Sequence, residues 1–310
     1  MIEPKDAIAR TWVQGLRARS RKTATAYADA VNRFLEFVAK PVTEVTVQDA
    51  LAYVGSLADS GLARASVAHH ISAIRSFLRH CQGLGLIPST PLDALKRPRV
   101  VITSMNRYLM RDEAERLLAA AKRISPQAHL AVAMMLLTGL RVSELAQAEW
   151  RHVFKDPQGN IGLLVHGKGG KERIVALRDD LWELISKDRR RRGLADSLDA
   201  RDRSPLVADR LDTPYSAVGL WKVVKRAARA AGIEKDVSPH WLRHSFGTLA
   251  ALGGANVFQI QAAMGHAQIT TSQRYIHWAR GLADSAVHQI DLRLDTTKSQ
   301  GRQVMRRKRT

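Results

Sequence analysis

The chain has 310 residues, enough for two domains, and its 45% hydrophobic content is sufficient to build folded cores. Lysine and arginine number 49 against 29 acidic residues, and the resulting formal charge of +20 favours a polyanionic partner. This composition excludes a wholly disordered chain, and the single cysteine, Cys81, excludes a disulfide framework or a cysteine-rich zinc module.

The sequence contains no membrane or export signal. Its longest apolar run, residues 130–137, is far shorter than the roughly 20 residues that a spanning helix needs. The N-terminal segment MIEPKDAIAR lacks an apolar signal core, so we expect a cytoplasmic protein with no membrane partner. Positive charge is spread along the chain, with a net +6 in residues 1–100 and +14 in the remainder, as suits a protein that holds a duplex from two sides.

The first hundred residues predict a small helical bundle. Apolar residues follow helical spacing from Thr23 until Pro41, and Thr46 with Asp49 forms a capping box before the next helix. A third helix carries the apolar stripe of residues 67–78 and ends in the glycines that follow. Three arginines flank this stripe and are candidates for DNA contact, although a solvated charged face is the alternative: Arg64, Arg75 and Arg79.

A proline-punctuated stretch then predicts an extended linker. Pro88, Pro91 and Pro98 restrict their neighbours and remove backbone donors. We therefore predict a first domain over 1–97 and a linker over 98–107. Basic residues here are further candidates for contact with a nucleic-acid backbone: Lys96, Arg97 and Arg99.

The second part of the chain predicts a mainly α domain with a small antiparallel sheet. Strands are expected at 151–153, 161–166 and 172–177, because turn-rich DPQGN and GKGGK segments separate them. A helix over 129–137 is apolar all round and should be buried, with Gly139 ending it. Other helices are predicted at 112–122, 180–191, 216–231, 240–252, 257–264, 270–278 and 283–292, and the basic segment 293–310 is a tail without periodicity.

Two basic motifs begin the list of candidate site residues. Arg141 in TGLRVSEL follows the glycine of the buried helix, where a guanidinium and backbone N–H groups can share a phosphate. The alternative is a surface ion pair with Glu144. Lys168 in HGKGGKER lies in a glycine-rich turn that either reaches into a groove or only connects two strands, and it lacks the spacing of a nucleotide-binding P-loop.

Two further motifs supply histidines, an arginine and a tyrosine. In SPHWLRHSFGT, His240 and Arg243 are three residues apart and share a helix face, while the neighbouring His244 is interpreted as structural and off that face. In MGHAQITTSQRYIH, His266 precedes Tyr275 by nine residues. The alternatives are a helix-capping histidine and an ordinary half-buried tyrosine.

Together these side chains are suited to metal-free transesterification at a phosphodiester. The phenol oxygen attacks phosphorus, and the arginines hold the non-bridging oxygens and stabilise the transition state. A histidine accepts the phenol proton, while the lysine protonates the departing sugar oxygen. Neither a carboxylate pair nor a Cys/His ligand spacing is present in the sequence, so no metal and no other cofactor is expected.

The order TGLRVSEL, GKGGKER, HWLRH, GH and Tyr resembles the tyrosine recombinase (phage integrase) family, and most of all its Xer-like members. The resemblance covers about 108–292, which it identifies as the catalytic domain, and the N-terminal bundle is similar to the SAM-like core-binding domain of the family. It implies that Arg141 and Arg243 grip the scissile phosphate and that Lys168, with Lys171 as competitor, is the general acid. His240 is then the acid/base, His266 binds the phosphate, and Tyr275 forms a 3′-phosphotyrosine link.

The resemblance also implies a site-specific recombinase that acts without ATP. Four protomers would pair two double-stranded DNA core sites through a Holliday junction, alone or with a partner recombinase, in association with the nucleoid. Two alternatives remain: a type IB topoisomerase-like enzyme and a non-catalytic DNA-binding relative. An apolar face within 283–292 packs either on a neighbouring protomer or on its own domain.

Overall fold

A computed structural model of the chain describes residues 6–90, 107–167 and 170–280. The chain divides into two compact units, Met1–Ile102 and Thr103–Thr310. Each unit has a hydrophobic core of its own.

The first unit is a four-helix bundle. Its helices are α1 (Ala7–Arg19), α2 (Arg21–Val38), α3 (Val47–Asp59) and α4 (Arg64–Gly83), with a short 3₁₀ turn at Val42–Glu44. The capping box predicted for the third of these is confirmed, since the Asp49 backbone N–H donates to Thr46 Oγ and the Thr46 N–H donates to the Asp49 carboxylate.

One helix of the bundle was not predicted, because α1 precedes the helix expected from Thr23. The Asp6 side chain caps this helix by accepting from the Ala9 N–H at 2.8 Å. Trp12 is buried, and its ring packs on those of Tyr27 and Phe77 at centroid distances of 6.2 and 5.4 Å. Tertiary packing of one large aromatic therefore stabilises a helix whose own apolar pattern is weak.

The three arginines proposed from the sequence for DNA contact lie on α4. Arg64 begins the helix and is exposed, Arg79 is exposed near its end, and Arg75 is partly buried. Their contact with DNA stays a prediction. Lys96, Arg97 and Arg99 lie outside the described residues.

The second unit packs helices around one central helix. Its helices are α5 (Arg111–Ile124), α6 (Pro126–Thr138), α7 (Val142–Leu145), α8 (Asp179–Arg191), α9 (Ala217–Ala230), α10 (Pro239–Leu252), α11 (Val257–Met264) and α12 (Ile269–Arg280). The buried helix predicted from all-round apolarity is confirmed as α6, whose neighbours include α5, α8, α9 and α10. The Ser125 hydroxyl caps its start, Pro126 occupies its first position, and Gly139 at φ 63° ends it.

Three antiparallel strands form a sheet in the order β1–β2–β3. They are β1 (Val153–Lys155), β2 (Ile161–His166) and β3 (Glu172–Leu177), with Leu163 opposite both Val153 and Val175. The bounds predicted for β2 and β3 are confirmed. The first strand was predicted two residues too early, because Trp150–His152 forms a 3₁₀ turn in which backbone N–H groups donate to carbonyls of the 202–204 segment instead of to a strand.

Within the described residues, no helix is long and apolar enough to cross a membrane. Across the same residues, no group of three or more His, Cys, Asp or Glu side chains is arranged to hold a metal ion. The helix expected at 283–292 and the tail at 293–310 lie outside the described part of the chain.

Candidate active site

Arg243 is the buried anchor of the site. Its side chain on α10 donates to the Gly139 carbonyl at 2.6 Å and to the Met264 carbonyl at 2.5 Å, and the residue is only 3% exposed. Burial lowers the pKa of its guanidinium to about 10, so it remains positively charged at neutral pH. One side chain thus joins the carboxyl ends of α6 and α11.

The chain turn after α6 presents Arg141. A Cβ on Gly139 would lie 2.5 Å from the Phe246 ring, so only glycine fits at this left-handed position. The Arg141 N–H and Nη1 both donate to the Glu144 carboxylate, at 2.8 and 2.7 Å. The ion pair considered as an alternative interpretation is therefore present, but Glu144 is buried while 41% of the Arg141 side chain stays exposed. Unlike an ordinary surface ion pair, this pair has a buried carboxylate that holds the Arg141 guanidinium in an orientation toward solvent.

Glu144 also binds a second arginine that the sequence had not singled out. Nη1 and Nη2 of Arg173 donate to the two Glu144 oxygens at 3.0 and 2.7 Å. Burial opposes ionisation of this carboxyl, but hydrogen bonds from Arg173 and Arg141 outweigh it and lower its pKa to about 2. Glu144 is therefore a buried carboxylate shared by two arginines.

This carboxylate predicts a loss of stability in acid. Because its folded pKa of about 2 lies below the ordinary value of 4.5, its stabilisation is present above about pH 5 and is lost as the pH falls toward 2. The shift corresponds to roughly 3 kcal/mol in the free energy of unfolding. Urea titrations at several pH values from 7 to 3 measure it against Glu144→Gln, whose profile should be flatter. Parallel profiles for the two proteins would contradict the prediction.

His266 lies at the junction of α11 and α12. Its Nδ1 is 2.8 Å from the Ser272 hydroxyl, and its ring stacks on that of Tyr275 at a centroid distance of 6.1 Å. Burial, with the charges of Arg243 and Arg141, lowers the pKa of His266 to about 4. The imidazole is therefore neutral at neutral pH and packs directly against the phenol.

Tyr275 is buried on α12, with its hydroxyl bound to a histidine. The Tyr275 oxygen lies 2.7 Å from His244 Nδ1, and the residue is 8% exposed. Burial raises the pKa of the phenol to about 12 and lowers that of His244 to about 4. His244 is thus a neutral acceptor that holds the protonated phenol in place.

The sequence-based placement of His244 away from the site is wrong. His240 and His244 are one helical turn apart, and their rings meet at a centroid distance of 4.5 Å. Burial and the charges of Arg243 and Arg141 lower the pKa of His240. The two histidines and Tyr275 therefore form one row of touching side chains between α10 and α12.

Gly247 leaves the space that the Tyr275 ring fills. A Cβ at this position in α10 would lie 2.9 to 3.0 Å from three ring carbons of Tyr275. We expect Gly247→Ala to displace the phenol, to cost about 1–3 kcal/mol in the free energy of unfolding, and to slow any reaction of its hydroxyl roughly tenfold or more. Thermal unfolding and reaction rates measure the two effects.

Gly55→Ala on α3 is the matched control. No atom lies within 4 Å of the added methyl there, so this substitution should stabilise the helix by about 0.5–1 kcal/mol. A Gly247→Ala protein that gains stability in the same way, with unchanged rates, would contradict the packing argument.

A cavity of about 540 Å³ opens beside these residues. Among its lining are Arg141, Lys171, Arg173 and His266, together with Gly167 of the turn between β2 and β3. Lys168 lies outside the described residues, so its place at the cavity stays a prediction. The other five candidates lie close together. His240, Tyr275 and His266 are joined in a row through His244. Arg243 binds the carbonyls of Gly139 and Met264, and Arg141 lines the cavity with His266.

The chain is similar in sequence to a known family of proteins. A sequence profile described as "Phage integrase family" matches residues 107–281, and one described as "Phage integrase, N-terminal SAM-like domain" matches residues 12–81. The tyrosine recombinase XerD of Caulobacter vibrioides is 34% identical over 272 residues, which cover 85% of this chain and 88% of the relative. XerD of Listeria monocytogenes is 30% identical over 275 residues, covering 84% and 89%.

Solved structures share the fold at lower identity. The XerH site-specific recombinase bound to palindromic difH substrate, in a post-cleavage complex, superposes with a TM-score of 0.70 at 21% identity, covering 85% of this chain and 78% of that chain. A lambda integrase tetramer bound to a Holliday junction gives 0.69 at 19% identity, covering 87% and 76%. Sequence profiles, relatives and fold agree, and the chain belongs to the phage integrase family of tyrosine recombinases.

Proposed function

We propose that the chain breaks and rejoins DNA at specific sites through a covalent link between Tyr275 and a 3′ phosphate. As a tyrosine recombinase it is an enzyme of DNA breakage and joining. The observation that carries the assignment to these residues is the packing of a buried tyrosine against His266, beside a cavity lined by Arg141. A phenol, a neutral imidazole and a guanidinium are thus gathered where a phosphate can bind.

Arg141 and Arg243 hold the scissile phosphate in this proposal. Arg141 faces the cavity with a large exposed fraction, and Arg243 carries a permanent charge in a buried position, where electrostatic attraction to an anion is strong. Lys168 protonates the departing 5′ oxygen from the turn between β2 and β3. Lys171 lines the cavity and remains its competitor for that role.

The histidines are proposed to bind the phosphate, to hold the phenol and to transfer its proton. With Nδ1 of His266 accepting from Ser272, its Nε2 carries the ring proton and donates to a phosphate oxygen. His244 holds the phenol in place through its Nδ1. The acid/base role falls to His240, whose ring contacts that of His244, once the DNA brings the phosphate and the phenol together.

The proposed assembly is a tetramer that pairs two duplexes and exchanges strands through a Holliday junction, in association with the nucleoid. Solved relatives support it: lambda integrase is bound as a dimer to a core site and as a tetramer to a Holliday junction. The described relatives are recombinases and integrases, so the type IB topoisomerase and non-catalytic alternatives find no support in them.

Recovery of covalent protein–DNA complexes tests the proposal. Cells that express the tagged chain are lysed in denaturant, the protein is purified, and the attached DNA is sequenced. We expect a short, recurrent core sequence, and a proteolytic peptide containing Tyr275 that carries a 3′-linked nucleotide. Absence of attached DNA, a 5′ linkage, or linkage through another residue would overturn the proposal.

A further inference from the structure

We propose that Arg173 is the positioning residue that fixes the two phosphate-binding walls of the cavity, the Arg141 turn and the Gly265–His266 turn, relative to each other. The inference rests on the proposed function. It assigns to Arg173 no contact with the reacting atoms; Arg173 acts through the groups that it holds.

Arg173 joins three separate parts of the catalytic unit with one guanidinium. It projects from β3, and its two Nη atoms bind both oxygens of Glu144 on α7, the carboxylate that also binds Arg141. Its Nε donates at 2.9 Å to the carbonyl of Ala263, in the last turn of α11. Because α11 ends immediately before Gly265 and His266, this bond fixes the backbone from which His266 projects.

The packing around Gly265 shows how closely the two walls meet. A Cβ on Gly265 would lie 2.8 Å from Arg173 Cδ and 3.1 Å from its Nε, so the turn rests on the arginine side chain. Gly265 has a φ of 62°, which a glycine adopts without strain. Arg173 therefore supports the turn by contact as well as by its hydrogen bond.

The position of Arg173 on its strand requires a partner of this kind. Side chains alternate along β3, and Arg173 shares a face with the buried Val175 and Leu177, whereas Ile174 on the other face is 59% exposed. The Arg173 side chain is only 11% exposed, so its charge is largely desolvated. A charged group on the inward face is stable only when it is paired and hydrogen-bonded, and Arg173 has both an ion pair with Glu144 and a bond to the Ala263 carbonyl.

Arginine suits this position and lysine does not. The guanidinium presents its donors in a planar fork, which lets two nitrogens bind a carboxylate while the third binds a carbonyl in another direction. A lysine offers one ammonium group, which cannot span Glu144 and Ala263 with the same geometry. Without the fork, the whole Glu144 carboxylate is free to draw the Arg141 guanidinium away from the cavity, and the His266 turn loses its support.

Single-turnover cleavage of the core site recovered in covalent complexes tests the inference. The variants are Arg173→Gln and Arg173→Lys. The matched control is Arg178→Gln, just beyond the other end of β3, where the arginine forms an exposed pair with Asp180. DNA affinity and the thermal midpoint are measured on each protein, so that loss of binding or of folded protein is separated from loss of chemistry.

We expect both Arg173 variants to bind the site within about threefold of wild type, since many phosphate contacts carry the affinity. Their cleavage rates should fall roughly 10- to 100-fold, because small displacements of positioned groups are costly. The Lys variant should recover thermal stability more than rate, and Arg178→Gln should resemble wild type. Arg173 variants that cleave at the wild-type rate, or whose rates recover in step with stability, would overturn the inference.

A double-mutant cycle tests the route through Glu144. If Arg173 acts by holding this carboxylate, Glu144→Gln and Arg173→Gln together should slow cleavage no more than about threefold beyond the slower single variant. Independent, multiplicative losses would contradict that route. If wild-type protein forms no covalent complex, the proposed function fails and the inference falls with it; if wild type reacts and Arg173→Gln reacts equally, only the inference fails.

Discussion

Tyr275→Phe is expected to bind DNA normally and to form no covalent complex with it, a loss on the order of 10⁴-fold or more in cleavage rate. The substitution keeps the ring that packs against His266 and Gly247 and removes only the hydroxyl. Because that oxygen is the proposed nucleophile, no neighbouring group can replace it. Nicked suicide substrates, which trap the covalent intermediate, measure the effect as the fraction of protein that stays attached to DNA under denaturing conditions.

The same variant should remain folded. Loss of the hydroxyl leaves His244 Nδ1 without its partner at 2.7 Å, and the expected cost is about 1–2 kcal/mol in the free energy of unfolding. Tyr215→Phe is the control, since Tyr215 is also partly buried but lines a different cavity with Leu211 and Arg226. Equal trapping by wild type and Tyr275→Phe, or loss of trapping in Tyr215→Phe, would remove Tyr275 from the mechanism.

Much of the fold was predictable because local patterns and tertiary packing agree. The all-round apolarity of α6 predicted a central helix, and the turn-rich segments before β2 and between β2 and β3 predicted an antiparallel sheet. The helix that was not predicted is α1, in which the buried residues Trp12 and Val13 are followed by Gly15 and basic residues. Its helix depends on aromatic contacts with α2 and α4, which sequence spacing within α1 does not reveal.

The candidate site was only partly predictable, for a different reason. Motif order identified residues suited to phosphate chemistry, but not the groups that hold them. His244 could have been found, because a spacing of four from His240 puts both rings on one helix face. Arg173 also had a signal, because it is a charged residue in phase with Val175 and Leu177 on the buried face of its strand. Glu144 had a weaker signal, since nothing in the neighbouring sequence distinguishes a buried carboxylate bound by two arginines from a surface acid.

Arg243→Lys is expected to lose roughly 10²- to 10³-fold in cleavage rate while keeping most of its affinity for DNA. Arg243 does two things at once. Its Nη atoms bind the carbonyls of Gly139 and Met264, and its buried charge is proposed to hold the scissile phosphate. A lysine ammonium carries its three donors on one nitrogen, which cannot reach both carbonyls and a phosphate oxygen with the geometry of the guanidinium fork, so both the architecture and the transition-state stabilisation are weakened.

Stability separates these two contributions. We expect the lysine variant to lose about 2–3 kcal/mol in the free energy of unfolding, because a buried carbonyl is left without its donor and the ammonium is poorly solvated. Arg229→Lys on the exposed face of α9 is the matched control and should change neither stability nor rate. Cleavage measured well below the melting temperature of each protein then reports chemistry alone.

The salt dependence of binding completes the test. Because Arg243 neutralises at most one phosphate among many, its replacement by another cation should leave the slope of log affinity against log salt nearly unchanged. If instead affinity and cleavage fall together, and by the same factor, Arg243 serves ground-state binding and not the transition state. A loss confined to the cleavage step is the result that a guanidinium held rigidly by two backbone carbonyls predicts, since its geometry is set before the phosphate arrives.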